Sequence, residues 1–477
     1  MIHTEYINFN FNSVKSCNIF KGFGSSIAWM GYIGKSDDKK SLGFLCDLLF
    51  NKNNKNGLHL NFVRYCIGGV EDPSLAKNFR IGGAIEAYAY TGNWDTIDLG
   101  QRYFLKKAKE LGVQHFEAFA NSPPNHMTVS GCTAGSEPWD VPFIKQDITF
   151  SNNLKSECID EFATYLVDVT KYLSEHDNIN FTSISPINEA LNPGWTTLGS
   201  QEGCYYNVFG NGARGKLFNS LRKVLDNRDM THVDISGYEE NSVFFGLVSL
   251  VNGSVCFQRF NVHRYTWGNV LGFNTYGFED SNIFRRLIKW ILKDKPIIMS
   301  EVDFGYTNGI TSYYDFQNVI VLANMIMADI IYLKPEAWCT WQIIEHLTGN
   351  GWGALQVDFN NLNNIIYSSK YQCLQMFTHF ITPNSILLDL PQLKNKNLTW
   401  IGCQDEKKIG LVILSNKSTD ITLQFNHDFS NTVISILNEK NLQCDGSGII
   451  KTKILGYINK IVIPPNSLVG ISFTILS

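Results

Sequence analysis

The chain lacks the marks of several protein classes. None of its eleven cysteines stand in a C-x-x-C arrangement, and they are scattered and odd in number. That argues against a disulfide frame or a cysteine-held zinc site and for reduced, buried thiols. No segment approaches eighteen consecutive apolar residues, so no membrane span is expected. The first residues, MIHTEYINFNFNSVK, hold no apolar signal-type core. The expectation is a soluble chain, cytoplasmic if complete and secreted if a signal peptide was removed. With a net charge of −4 and no evident basic patch, a nucleic-acid partner is not expected. Two nucleotide-binding patterns nearly form and fail. Gly22-x-Gly24 needs glycine at 27 and meets Ile27; Gly34-Lys35-Ser36 needs glycine at 29 and meets Trp29. No G-x-S-x-G elbow appears, which counts against a serine hydrolase. No cofactor and no metal are expected, and the oligomeric state is not legible.

What the chain does have is aromatic and apolar residues in bulk. Aromatics make up 13% and hydrophobic residues 44% of 477 residues, ample for a large core. Flat rings also suit sugar sites, where they stack on the C–H faces of pyranoses. Eight strand-like runs can be counted, at 22–30, 58–69, 113–122, 181–189, 233–240, 256–265, 296–303 and 336–344. Helical patterns separate most of them, such as Cys158–Leu173 with Phe162, Leu166, Val169 and Leu173 at helical spacing. Eight alternating units predict an α/β fold, a closed (β/α)8 TIM barrel over 21–384, with chemistry at the strand C-terminal ends. From 385 to 477 the helices stop. Short β-type runs such as Ile409–Ser415 and Leu468–Leu476 predict an attached antiparallel β-sandwich. The N-terminal strand within 1–20, with YINFNF alternating at Tyr6–Phe11, is expected to join it. Only a short polar turn near Thr382–Asn384 separates the two modules, so rigid packing is expected.

Two strand ends carry carboxylates. FTSISPINEALNPGW delivers Asn188 and Glu189 side by side, then turns at Pro193-Gly194 into Trp195. PIIMSEVDFG delivers Glu301 after an apolar run. A lone Asn-Glu is usually a cap or a surface residue; a second carboxylate at another strand end changes that. Arg64, Asn121, His263, Tyr265 and Trp341 fall at or near such ends. Two carboxylates across a cleft with aromatics nearby suit glycoside hydrolysis, in which one must be protonated and the other ionised. Asn188 is placed to donate to a sugar hydroxyl. Arg64 and Tyr265 are candidates for holding Glu301 ionised, although Arg64 also fits a structural ion pair and His263 a satisfied core histidine. Trp341 is favoured over Trp338 as the sugar platform, with Trp29 and Trp195 as further aromatic candidates.

The stretches GFGSSIAW, LNFVRYCIGG, FEAFANSPPNHMTVSGCTAG, SPINEALNPGW, MSEVDFG and IPPNSLVGISF together touch almost the whole chain. In this order they resemble glycoside hydrolase family 30, in the clan of retaining (β/α)8 glycosidases. The resemblance implies a side β-sandwich built from both termini, and an oligo- or polysaccharide substrate. It also implies that Glu189 is the acid/base and Glu301 the nucleophile. The NSPP-x-x-MT-x-SG pattern at 121–131 is most similar to the branch that includes endo-β-1,6-galactanases. One departure is Asn125-His126, where aromatics are expected after NSPP. That loop lines the substrate side of such barrels, so the sugar and the endo or exo mode stay open. The alternatives are an exo-acting β-glycosidase on short substrates (β-glucosidase, β-xylosidase, β-fucosidase or glucosylceramidase-like) and, in another class, an inactive carbohydrate-binding protein on the same fold.

Overall fold

The computed structural model describes His3 to Ile475, apart from residues 8–15, 90–91, 141, 143–145, 209–212, 254–255, 266–280, 307–309, 392, 394–396 and 417–418. Eight parallel strands close into a barrel: Gly22–Ser26, Phe62–Cys66, His115–Phe119, Phe181–Ser185, Asp234–Glu240, Arg259–Tyr265, Ile297–Asp303 and Ala337–Thr340. The last pairs with the first, Ala337 beside Gly22. Each strand-like run in the sequence contains one of these strands. The second and seventh are buried at every position, as parallel strands covered by helices must be.

Most covering helices follow an amphipathic pattern. Ile159–His176 buries Phe162, Leu166, Val169 and Leu173 along one stripe. Leu99–Glu110 starts at Asp98, whose side chain accepts from the Gln101 backbone N–H, and ends with Lys107 and Lys109 near its carbonyl pole. Two helices go beyond the sequence reading. Val243–Asn252 (VFFGLVSLVN), after the fifth strand, is apolar nearly all round and has no stripe to read. Ser369–Phe380 follows the last barrel strand and is buried on almost every side, polar positions included. A small three-stranded sheet, Ile344–His346, Leu355–Asp358 and Asn361–Tyr367, precedes it. Among the described residues no helix is long and apolar enough to cross a membrane.

A nine-stranded, mostly antiparallel sheet stands beside the barrel. The N-terminal strand His3–Ile7 lies in it, parallel to Ile421–Leu437. That strand begins before the alternation at Tyr6–Phe11, most of which lies outside the described residues. A second N-terminal strand, Ser16–Phe20, pairs with Ser385–Leu388. The runs expected at Ile421–Phe425 and Thr432–Leu437 form one strand of 17 residues. The sheet has its own core, in which Ile409, Leu411 and Ile413 pack with Leu423, Phe429 and Phe473. The last two rings stack at 3.9 Å. The cysteines are free thiols, and those on the barrel strands, Cys66 and Cys339, are buried.

Candidate active site

The barrel interior below the strand ends holds charge in place of aliphatic side chains. Arg64, on the second strand, is fully buried. In register beside it is Glu117, and beside Glu117 is Ser183. Arg64 donates through Nε to Glu117 at 3.0 Å and through Nη1 to the Ser300 carbonyl and to Glu301, both at 3.1 Å. Its Nη2 donates to Glu239. The guanidinium also lies 4.1 Å from the centre of the Phe119 ring. Glu117 further accepts from Ser183, Ser236 and Asn261. A buried cation with this many partners is oriented on every side. Burial pulls its pKa down, but Glu239, Glu117 and Glu301 hold it above the usual arginine value.

Glu301 is the fifth residue of the seventh strand and is only 3% exposed. His263, in register with it on the sixth strand, is fully buried. Its Nδ1 lies 3.6 Å from Glu189, and its Nε2 lies 3.1 Å from Glu239 and 3.9 Å from Glu301. Glu189 arrives from the fourth strand, but not on it: the strand ends at Ser185, and Glu189 follows in the loop at φ 47°. Its backbone N–H donates to the Glu239 carbonyl, and the Asn188 N–H donates to the Ala120 carbonyl at 2.9 Å. Asn192 donates to Glu189 Oε2 at 2.9 Å, and Trp195 Nε1 donates to the Glu189 carbonyl at 2.9 Å. The turn residues after Glu189 therefore lock the carboxylate that precedes them. One carboxylate oxygen of Glu189, one of Glu301 and a ring nitrogen of His263 lie within 4.8 Å of one another.

The charges in this cluster push the titrations apart. Burial would raise the Glu239 carboxyl, but Arg64 and His263 outweigh it and hold it down at about 2. Burial opposes the charge on His263, yet Glu301, Glu189 and Glu239 lift it to about 9. Burial, joined by the charges of Glu189 and Glu239, pushes Glu301 up to about 8 despite His263 and Arg64. The sequence-based expectation that Arg64 keeps Glu301 ionised is thus only half of the balance. Arg64 does donate to Glu301, but its charge is divided among three carboxylates, and desolvation prevails.

Above the cluster opens a cleft of about 400 Å³, lined by Trp29, Asn121, Asn188, Glu189, Trp195, Glu301 and Trp341 among others. Trp29 and Trp341 meet edge to face at 5.0 Å. Trp338 turns away from the cleft, donating to Asp329 and packing on Phe23. The Asn188 Oδ1 and Trp29 Nε1 atoms are buried without a hydrogen-bond partner among the described residues. Both belong to cleft-lining residues, where the hydroxyls of a sugar can satisfy them. Of the residues singled out in the sequence, the structure brings together all but Tyr265, whose side chain lies outside the described residues.

Several members carry little signal in the sequence. Glu239 and Glu117 lie inside strand-like runs, although the Glu239-Glu240 pair ends its strand much as Asn188-Glu189 follows one. Arg80 and Trp352 reach the cleft from loops, and Glu345 from the small three-stranded sheet. The loop carrying Trp352 is tied down by Asp303, which accepts from the Gly353 N–H at 2.9 Å and from the buried Lys370 at 3.0 Å.

The chain is similar to known proteins in sequence and in fold. Residues 7–239 match the model of O-glycosyl hydrolase family 30. An endo-β-1,6-galactanase of Hypocrea rufa is 26% identical over 401 residues, covering 78% of this chain and 74% of the relative. In fold, the chain is similar to a conserved exported protein from Bacteroides fragilis, at a TM-score of 0.79 and 19% identity over 99% of this chain and 100% of that one. It is similar also to the catalytic domain of a family 30 xylanase C from Talaromyces cellulolyticus, at a TM-score of 0.70 and 15% identity over 99% and 100%. With a closed barrel, a side sheet threaded by both ends of the chain and paired glutamates in an aromatic cleft, the chain resembles glycoside hydrolase family 30, most of all its galactanase-like branch, and is an O-glycosyl hydrolase.

Proposed function

We propose that the protein hydrolyses β-1,6-linked galactan or galacto-oligosaccharides with retention of anomeric configuration. The observation that carries the mechanism is the spacing of Glu189 and Glu301, one carboxylate oxygen of each lying within 4.8 Å of the other. A retaining pair needs about 5–5.5 Å between carboxyl groups, whereas an inverting pair needs roughly 6.5–9.5 Å to admit a water. The substrate rests on the similarity to the Hypocrea rufa galactanase.

In this mechanism Glu301 attacks the anomeric carbon as its C–O bond to the leaving group breaks. Glu189 gives its proton to the leaving oxygen. A water then enters, Glu189 takes a proton from it, and the resulting attack releases Glu301. The first step needs one proton between the two carboxyls, one group being protonated and the other ionised. Burial draws that proton toward Glu301. Turnover requires it on Glu189, and Arg64 and the protonated His263 supply the positive charge that favours an ionised Glu301. Asn188 and Asn121 line the cleft beside the glutamates, within reach of sugar hydroxyls.

Proton NMR of the first product from β-1,6-galactan, beside other β-linked glucans and xylan, tests both parts. The expected result is a β-anomer at the new reducing end and turnover of the galactan alone. An α-anomer appearing first would remove the retaining assignment. Turnover confined to short aryl glycosides would remove the galactan and leave an exo-acting enzyme.

A further inference from the structure

A second crevice opens at the other end of the barrel, where the side sheet meets it, with a volume of about 310 Å³. Its walls come from four parts of the chain. Lys52 and His59 precede the second barrel strand, and Gln114 precedes the third. Thr378 and His379 lie on the helix Ser369–Phe380, and Lys451 adjoins the side-sheet strand Thr452–Ile454. None of the lining residues is acidic, in a chain whose net charge is −4.

The two histidines are spent on the backbone. His379 Nε2 is 2.9 Å from the Gly57 carbonyl, and His59 Nε2 is 2.8 Å from the Asn54 carbonyl. Both nitrogens must therefore carry hydrogen and donate. The rings stack 4.2 Å apart and 3° from parallel. Lys451 Nζ donates to the remaining nitrogen of His379 at 2.6 Å, which fixes that ring as neutral. Burial and then Lys451 push His379 down to about 3, in keeping with this tautomer. Lys451 itself meets no carboxylate among the described residues, and burial together with Lys408 lowers its affinity for its proton. Thr378 is 2% exposed, and its Oγ1 has no hydrogen-bond partner among the described residues. A helical threonine hydroxyl would ordinarily bond to a carbonyl one turn back, so a buried free hydroxyl in the wall of a cationic crevice points to a ligand.

We propose that this crevice is a second binding site, which takes a small oxyanion-bearing molecule of about monosaccharide size. Lys451 and Lys52 supply the charge, the Thr378 hydroxyl and the Gln114 amide supply hydrogen bonds, and the neutral His59–His379 stack forms a flat wall. Phosphate and carboxylate share this chemistry. Occupancy bridges the barrel loops to the side sheet through Lys451, so it stabilises the joined molecule in proportion to saturation.

The test is titration of the full-length protein by calorimetry and thermal shift with three probes: inorganic phosphate, glucose 6-phosphate and glucuronate. Saturable binding with a rise in melting temperature is expected for at least one, and the ranking distinguishes phosphate from carboxylate. The Lys52→Met/Lys451→Met variant should weaken that binding by about tenfold or more, since two charge-assisted contacts are lost. Thr378→Val, nearly equal in shape, should weaken it to a smaller degree and keeps the test open if the lysine variant folds poorly. Glu301→Gln, which disables the cleft, should leave it unchanged. No saturable binding, or binding that survives the lysine and threonine changes, overturns the proposal. Binding lost in Glu301→Gln does so too, because it places the anion in the catalytic cleft.

Discussion

Arg64 cannot be replaced by a neutral residue without leaving Glu117, Glu239 and Glu301 to repel one another inside the barrel. The same crowding makes Glu301 a stability cost at high pH. Its folded pKa of about 8 stands above the usual 4.5, so the folded state binds more protons across that window and stability falls as pH rises through it. His263, raised to about 9, likewise contributes stability fully below its unfolded value of 6.5 and loses it as pH rises through about 9. Glu301→Gln removes the first of these contributions. We expect the variant to be more stable than wild type at alkaline pH, by on the order of a few kcal/mol, with a shallower fall between about pH 5 and 9. Equal melting curves at all pH values would show that Glu301 ionises freely in the fold. Activity should rise with pH toward about 8, as the Glu301 nucleophile loses the proton that burial holds on it. The roles separate by rescue. Glu301→Ala should be inactive on every substrate. Glu189→Ala should keep partial activity on an aryl glycoside with a good leaving group and regain rate with azide. Azide rescue of neither variant would break the assignment of Glu189. At this scale the sequence showed the two glutamates because each ends an apolar run, Glu189 just beyond its strand and Glu301 near the end of its own. It hid Glu239 and Glu117 because a buried carboxylate within a strand has no periodic signature; only its partners, distant in sequence, explain it.

The loops after the strands turn this charged plug into a sugar site. Trp341 directly follows the eighth strand and lines the cleft against Trp29. Trp341→Ala should weaken substrate binding by roughly 1–3 kcal/mol through lost apolar contact, read as a rise in KM on galactan. An unchanged KM in a folded variant would return Trp341 to a purely structural part. The barrel strands were legible because each is a short apolar run bounded by turn residues. Ile159–His176 was legible because its apolar residues recur on one stripe. Val243–Asn252 lacked such a stripe, being apolar nearly all round. Ser369–Phe380 failed for the opposite reason. Its buried face includes Lys370, Gln372 and Gln375, whose side-chain nitrogens donate to Asp303, the Gly448 carbonyl and the Asn56 carbonyl. Hydropathy reads such residues as exposed, and only the tertiary partners offset the cost of burying them.

That last helix also decides how the whole molecule behaves. It lies between barrel and side sheet, and the sheet approaches it with glycines. A Cβ at Gly410 would come within 1.8 Å of the Phe380 carbonyl oxygen, and one at Gly470 within 2.2 Å of the Phe380 ring. The contact is backbone against backbone at Gly410, so no side-chain rotation relieves it. Gln372 ties the helix to the side-sheet segment after Ile421–Leu437, donating to the Gly448 carbonyl and accepting from the Gln443 N–H. Both N-terminal strands are held in the sheet, and Phe20 packs in the barrel core beside Phe23. Barrel and sheet therefore share side chains and backbone contacts, and they should unfold together. Gly410→Ala should destabilise both by roughly 1–3 kcal/mol or more, the scale of overpacking a filled site. The sheet carries one tryptophan after residue 384, Trp400, which donates to the Pro391 carbonyl. Urea unfolding followed by Trp400 fluorescence, taken as the difference from a Trp400→Phe variant, reports the sheet; loss of hydrolytic activity reports the barrel. The two curves should coincide in wild type and move together in Gly410→Ala. A sheet transition that shifts while the barrel's stays in place would mean that the glycine contact stabilises only one side of the joint.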